Sequence, residues 1–382
     1  MEQLSDWARW NGAAAQTPWT VGIEEEVLLL DPHRAWSVAN RIDAVLAALR
    51  PGIAAHASAE THACVVELRT AAHRTVAAAG AELAFLRRAL DEALRDNLGL
   101  CAAAAGTHPT ATPSDVALSE GARYRHIAAT MGALARREPT MAQHVHVAVP
   151  DASSAVQALN GLRSELPLLL ALSANSPFWQ GGDSGFASMR TPIFSMFPRV
   201  GIPRRFGSYE DYVRVIDGML RAGAIPEPGF LWWDARLRPR LGTIEIRIMD
   251  AQSRVTDAAA LTALVQCVVH RWSHGRQPTD IGPELLAENR FLAARDGVRA
   301  QLIDEGERAR RPVMDSLREL LEDCRAVATR LGCSRELARA YALADDQGAA
   351  RQRRHVRRAG LATLPAWLAE EFASAAQLTA AA

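Results

Sequence analysis

Three consecutive glutamates interrupt an apolar run near the start of this chain, in the stretch TVGIEEEVLLLD, Thr20–Asp31. Read as a β-strand, its side chains alternate between faces, so Glu24 and Glu26 project together and Glu25 projects the other way. Two carboxylates on one face of a buried strand repel each other and lose hydration. Such a pair must be protonated, countered by bases, or holding a cation. A surface strand with a solvated acidic edge would carry the same letters. The two readings part on whether other strands repeat the pattern.

Three other stretches do repeat it. In ETHACVVELRT (60–70) the second half reads as a strand with Val66 and Leu68 on one face and Val65, Glu67 and Arg69 on the other. In TMAQHVHVAVPD (140–151) Val145, Val147 and Val149 share a face, and His144 and His146 share its opposite. LWWDARLRPRLGTIEIRIMD (231–250) reads as a hairpin whose second strand puts Ile244, Ile246 and Ile248 on one side and Thr243, Glu245 and Arg247 on the other. Alternating faces argue for an antiparallel sheet, and the intervening helical patterns make the fold class α+β. Thr75–Asn97 is the clearest helix, with Val76, Leu83, Leu86, Leu90 and Leu94 at helical spacing. Ser153–Ser173 is a second, which Pro167 should kink or end. Residues 1–17 read as a flexible lead-in. Residues 18–375 read as a single domain, of which about 283–375 is mostly helical cover.

The polar faces collect Glu24, Glu26, Glu67 and Glu245, with Glu60 nearby, His144 and His146, and only Arg69 and Arg247 as bases. Carboxylate oxygens in excess suit Mg²⁺ or Mn²⁺. Mg²⁺ is commonly held for the sake of substrate phosphates, and Arg247 on the same face is placed to meet a transferring phosphoryl group. Taken singly, His-x-His fits a pair of satisfied histidines, and Glu245-x-Arg247 fits a cross-strand ion pair. Repetition over four strands favours the metal-holding face.

Bulk composition narrows the classes further. Basic and acidic residues balance at 43 each, so nothing electrostatic points to nucleic acid or a membrane surface. All the basic residues other than histidine are arginines, which excludes a lysine Schiff base and a Gly-Lys-Ser/Thr phosphate loop. Five scattered cysteines without a C-x-x-C pair suit a reducing cytoplasm. MEQLSDWARW shows no secretory pattern. In the Gly/Pro-rich loop Asn175–Arg205, Trp179 with Phe178, Phe186, Phe194 and Phe197 could stack a nucleobase or simply pack locally. The run Arg351–Arg358 fits an anion patch or a salt-bridged helix face.

These motifs resemble the bacterial carboxylate–amine ligases of the glutamate–cysteine ligase type 2 family, relatives of glutamine synthetase. The match rests on GIEEEVLLLD (22–31), ETHACVVELRT (60–70), HVHVAVPD (144–151), NSPFWQGGDSGFASMR (175–190), FPRVGIP (197–203) and WWDARLRPRLGTIEIRIMDAQSRV (232–255). The resemblance implies a curved antiparallel sheet carrying Mg²⁺ beneath the ATP phosphates. It assigns Glu24, Glu26, Glu60, Glu67, His144 and Glu245 as metal ligands, Glu245 and Arg247 as catalytic residues, and Arg247 and Trp179 as nucleotide contacts. Arg125 and Arg190 become the substrate-carboxylate arginines. The implied reaction is ATP-dependent amide formation through an acyl phosphate, with glutamate and cysteine as default substrates and a homodimer as the assembly. A guanidino or acyl phosphotransferase and a degenerate Mg-nucleotide-binding protein are the alternatives. Ala148, Met141-Ala142-Gln143 and Phe186 depart from the family's usual residues and are expected on the substrate side.

Overall fold

The protein is described here by a computed structural model covering residues 5–275, 281–304, 306 and 309–377. Its centre is an eight-stranded sheet built from β1 (Val21–Asp31), β2 (Ser37–Val38), β3 (Ala57–Ala59), β4 (Val65–Arg69), β5 (Cys101–Ala103), β6 (Ala142–Ala148), β7 (Ala235–Arg238) and β8 (Thr243–Asp250). The order is β7-β8-β6-β1-β4-β3, with β2 and β5 pairing the far end of β1. Every pairing within this sheet is antiparallel. The longer helices are α1 (Val76–Leu98), α2 (Ala122–Met131), α3 (Ala152–Ser173), α4 (Tyr209–Arg221), α5 (Val255–Trp272), α6 (Pro283–Asp296), α7 (Val313–Leu331), α8 (Ser334–Asp345), α9 (Gly348–Ala359) and α10 (Leu364–Gln377).

Period-two patterning fixes which side of the sheet the helices cover. Val21, Ile23, Val145, Val147, Ile244 and Ile246 are all essentially inaccessible and share one core with α3 and α5. A second core gathers Val27–Leu30, Val66 and Leu68 with Leu86, Leu90 and Leu94 of α1 and Phe372 of α10. Burial on this scale, at roughly 25 cal/mol per Å² of apolar surface, locks the register, because a one-residue slip would turn every valine outward. Helix α1 is stopped at both ends by its own residues: Thr75 accepts the Ala78 N–H, and Gly99 closes the helix at φ 65°.

Three local features add to the sequence reading. Pro167 neither ends nor splits α3, which runs unbroken from Ala152 to Ser173 with Leu166–Leu172 buried. Packing on both sides outweighs the one backbone bond that proline removes; Gly161 permits the approach, since a Cβ there would lie 2.2 Å from Trp272. In the lead-in, Trp7 Nε1 donates to Asp217 at 2.7 Å, Trp10 Nε1 donates to the Val149 carbonyl at 3.1 Å, and Ala8 is fully buried. The region after Pro283 includes a hairpin, Gln301–Asp304 with Ala309–Pro312, among its helices.

Candidate active site

The uncovered face of the sheet carries the ionisable residues, and the register decides which of them meet. Glu24 lies opposite His144 on β6 and Arg69 on β4, Glu26 lies opposite Glu67, and His146 lies opposite Glu245 on β8. Three overlapping groups bring ligand atoms within 4.8 Å of one another: Glu24, His146 and Glu245; Glu24, Glu67 and His144; Glu26, Glu60 and Glu67. All six residues expected as metal ligands are included, and His146, which sequence left without a role, joins them.

Charge is unevenly spread over this face. Burial, reinforced by the Glu60 charge, pushes the Glu26 carboxyl up to about 8. Burial with Glu60, Glu24 and Glu26 as neighbours raises Glu67 as well. At the other end, burial alone would raise Glu24, but the His146 charge and bonds from His144 and His146 hold it well below the usual range. Burial likewise opposes ionisation of Glu245, and Arg236, Arg247 and His146 outweigh it. His144 is pushed down to about 4 by burial and then by Arg247, which leaves it a neutral imidazole. The Nε2 atoms of His144 and His146 are buried and make no hydrogen bond. Carboxylates crowded against one another, beside the neutral His144 imidazole and with both Nε2 atoms 3.4–3.7 Å from a carboxylate oxygen, fit a divalent cation.

Over this face opens a cavity of about 350 Å³, lined by Glu24, Glu26, Glu60, Glu67, His144, Arg190 and Arg247 among others. Glu245 and His146 are not on its wall. Glu245 is fully buried, with Arg236 donating to it from Nε at 2.8 Å and from a terminal nitrogen at 3.0 Å, while Arg247 donates from the cavity side. Arg123, Arg190, Arg236 and Arg238 also line the cavity, so the face holds more arginine than Arg69 and Arg247 alone. The acidic excess is concentrated around Glu26, Glu60 and Glu67.

Arg190 is buried on this wall and donates to the carbonyls of Arg247 and Ile248, both at 3.1 Å. Those carbonyls sit where the β8–β6 register slips by one residue. Arg190 therefore clasps the bulge that carries Arg247, and its Nε remains without a partner. Two expected residues lie elsewhere. Arg125 is exposed on α2 and off the cavity wall; Arg123, Tyr124 and Ile127 of the same helix line it. Trp179 is also off the wall, beneath the Arg137 guanidinium at 5.8 Å. The aromatic side of the cavity is instead Tyr124, Phe194, Phe197 and Trp232.

The residues departing from the family pattern do not line the cavity either. Gln143 points to the helix side and donates to the Ala258 carbonyl at 2.9 Å, and Phe186 packs on Phe291. The long loop is organised by Asp250, a residue the sequence reading passed over. It accepts bonds from the Asn175 backbone and from the Ser176 and Ser188 hydroxyls at 2.7–2.8 Å. The Arg351–Arg358 run is largely a salt-bridged helix: Arg351 meets Asp257 at 2.7 Å, Arg353 meets Asp183 at 2.6 Å, and Arg354 pairs with Asp346. Glu25, facing the helices, is bound by Arg87 of α1, and both side chains are fully buried.

Comparison with known proteins follows the same residues. The pattern of glutamate–cysteine ligase family 2 matches residues 20–371. A provisionally named glutamate–cysteine ligase 2-1 of Rubrobacter xylanophilus is 38% identical over 341 residues, covering 88% of this chain and 90% of the relative. Another from that organism, named 2-3, is 39% identical over 369 residues, covering 94% and 98%. Among solved structures, a Francisella tularensis glutamate–cysteine ligase in complex with AMP superposes at a TM-score of 0.67 and 13% identity, over 95% of this chain and 92% of that one. A bifunctional glutathione synthetase from Pasteurella multocida superposes at 0.69 and 15% identity, over 96% and 53%. At such identities the two superpositions speak for the fold.

Proposed function

The chain belongs to glutamate–cysteine ligase family 2 and is an ATP-dependent carboxylate–amine ligase; from that premise we propose that it joins glutamate to cysteine, using the sheet face as its metal and phosphate site. The observation that carries the reading is the three overlapping ligand groups on one sheet face. Glu24, Glu26, Glu60, Glu67, His144 and Glu245, with His146 added, would hold divalent cations, Mg²⁺ or Mn²⁺ by their oxygen-rich donor set. Cations bound there would neutralise charge on the ATP phosphates.

This chain's own groups do the rest by positioning. Arg247, on the cavity wall and anchored on Glu245, meets the transferring γ-phosphoryl group as negative charge shifts on its oxygens. The substrate carboxylate attacks that phosphoryl group to give an acyl phosphate, and the amine then displaces phosphate, so no covalent enzyme nucleophile is required. Arg190 and Arg123 line the cavity and Arg125 does not, so this reading gives the substrate carboxylates to the first two. Phe194, Phe197 and Trp232, rather than Trp179, are the aromatic surfaces available to a base or an apolar substrate part. Residues 18–375 form one catalytic unit in this reading. No helix among the described residues is long and apolar enough to cross a membrane. Five unpaired, buried cysteines suit a cytoplasmic enzyme, and we extend the reading to a homodimer.

ADP release from Mg·ATP, measured with glutamate, cysteine or both, tests the assignment. Glutamate with hydroxylamine should yield an acyl hydroxamate, and glutamate with cysteine should yield one ADP per amide. ADP release without amide or hydroxamate across a carboxylate and amine panel would overturn it.

A further inference from the structure

The edge hairpin brings together two parts of the site that chain order keeps apart. Arg236 on β7 and Glu245 on β8 are register partners, so their side chains leave the same face side by side. The Arg236 guanidinium is buried and donates in two directions. Its Nε and one terminal nitrogen hold both oxygens of Glu245 at 2.8 and 3.0 Å. Its other terminal nitrogen holds the Leu231 carbonyl at 2.6 Å and the Gly229 carbonyl at 3.1 Å. Gly229 and Trp232 belong to the cavity wall, and Trp232 packs against Phe197, with ring centroids 6.3 Å apart.

We propose that Arg236 is a positioning residue which sets the distance and orientation between the buried Glu245–Arg247 pair and the aromatic wall at Trp232. Two features favour this over simple neutralisation of a buried acid. Arg247 and Arg238 also approach Glu245, so charge balance alone does not call for Arg236. Arg247 can also turn toward a phosphoryl group only if Glu245 keeps another partner, and the bidentate bond from Arg236 supplies one. A planar fork spans the carboxylate and the loop together, whereas a lysine ammonium is one point with three donors. The inference rests on the proposed role of Glu245 and Arg247 in the site.

Replacing Arg236 with Lys keeps the charge and loses the span. Arg236→Lys should lower kcat about 10–100-fold, as loss of an outer partner of a site ligand commonly does, with the KM for Mg·ATP changed less than twofold. The fold, read by circular dichroism and thermal melting, should persist. Arg236→Ala should be equally impaired, and millimolar guanidinium chloride should restore part of its kcat while leaving wild type and Arg247→Ala unaffected. Glu245→Gln, assayed in parallel, separates the two levels of the argument. An inactive Glu245→Gln beside a fully active Arg236→Lys would overturn the role of Arg236 alone, whereas a fully active Glu245→Gln would overturn the site reading beneath it. Should Arg236→Ala not fold, the Arg236→Lys kinetics decide.

Discussion

Glu24, Glu25 and Glu26 are adjacent in one strand, yet the sheet sends them into opposite kinds of surroundings. Glu25 faces the helices, where Arg87 binds it and donates further to the Gln252 and Ser253 carbonyls, so the carboxylate and the guanidinium are both met from within the protein. Glu26 faces the cavity, where its neighbours are Glu60 and Glu67 and its carboxyl is pushed up to about 8. The inner carboxylate is complete without a ligand, and the outer ones are not. A residue's charge therefore says little about its role until the strand's phase says which face it occupies.

The largest effect should come from the outer face. Glu26→Gln keeps an acceptor for the Ala142 N–H, which Glu26 now binds at 2.7 Å, while removing an ionisable carboxyl from the acidic corner. Turnover should fall at least about 10²-fold, and urea unfolding should show stability equal to wild type or higher. A loss of stability without a loss of turnover would break the comparison.

The inner face should respond in the opposite sense. Glu25→Ala leaves the Arg87 cation buried and uncompensated, which should lower the unfolding free energy by about 3–5 kcal/mol in urea titrations. Replacing both partners, Glu25→Met with Arg87→Leu, should recover much of that loss, because an apolar pair carries no desolvation cost. If the double replacement is no better than Glu25→Ala, the pair does more than satisfy itself.

A smaller effect should appear in pH dependence. Glu26 has its folded pKa raised from 4.5 to about 8. Its contribution to stability is therefore fully present below about pH 4.5 and is lost as pH rises through 8. Cation-free protein should lose melting temperature across that window, and Mg²⁺ should restore more of it at pH 8 than at pH 5.5. Equal Mg²⁺ stabilisation at both values would remove the acidic corner as its cause.

Much of the sheet was legible because period two is a local signal: Val145, Val147 and Val149 declare a face without reference to any other strand. The metal-ligand candidates followed from the same phase. What escaped were relations set by partners distant in sequence. Arg87 lies 62 positions from Glu25. Arg236 becomes the neighbour of Glu245 only once the hairpin turn fixes the register, a signal present in ARLRPRLGTIE that could have been followed. Arg125, which the resemblance names, is exposed on a helix whose cavity-facing side carries Arg123, Tyr124 and Ile127. Trp179 lies off the cavity wall, in a loop that Asp250 ties to β8 through Asn175, Ser176 and Ser188.

Mn²⁺ binding followed by electron paramagnetic resonance, on wild type and Glu26→Gln without substrates, addresses the claim that the outer carboxylates are completed by cations. Wild type should bind Mn²⁺ tightly, and Glu26→Gln should lose at least one bound ion or about tenfold in affinity. Identical titration curves for the two proteins would contradict the account.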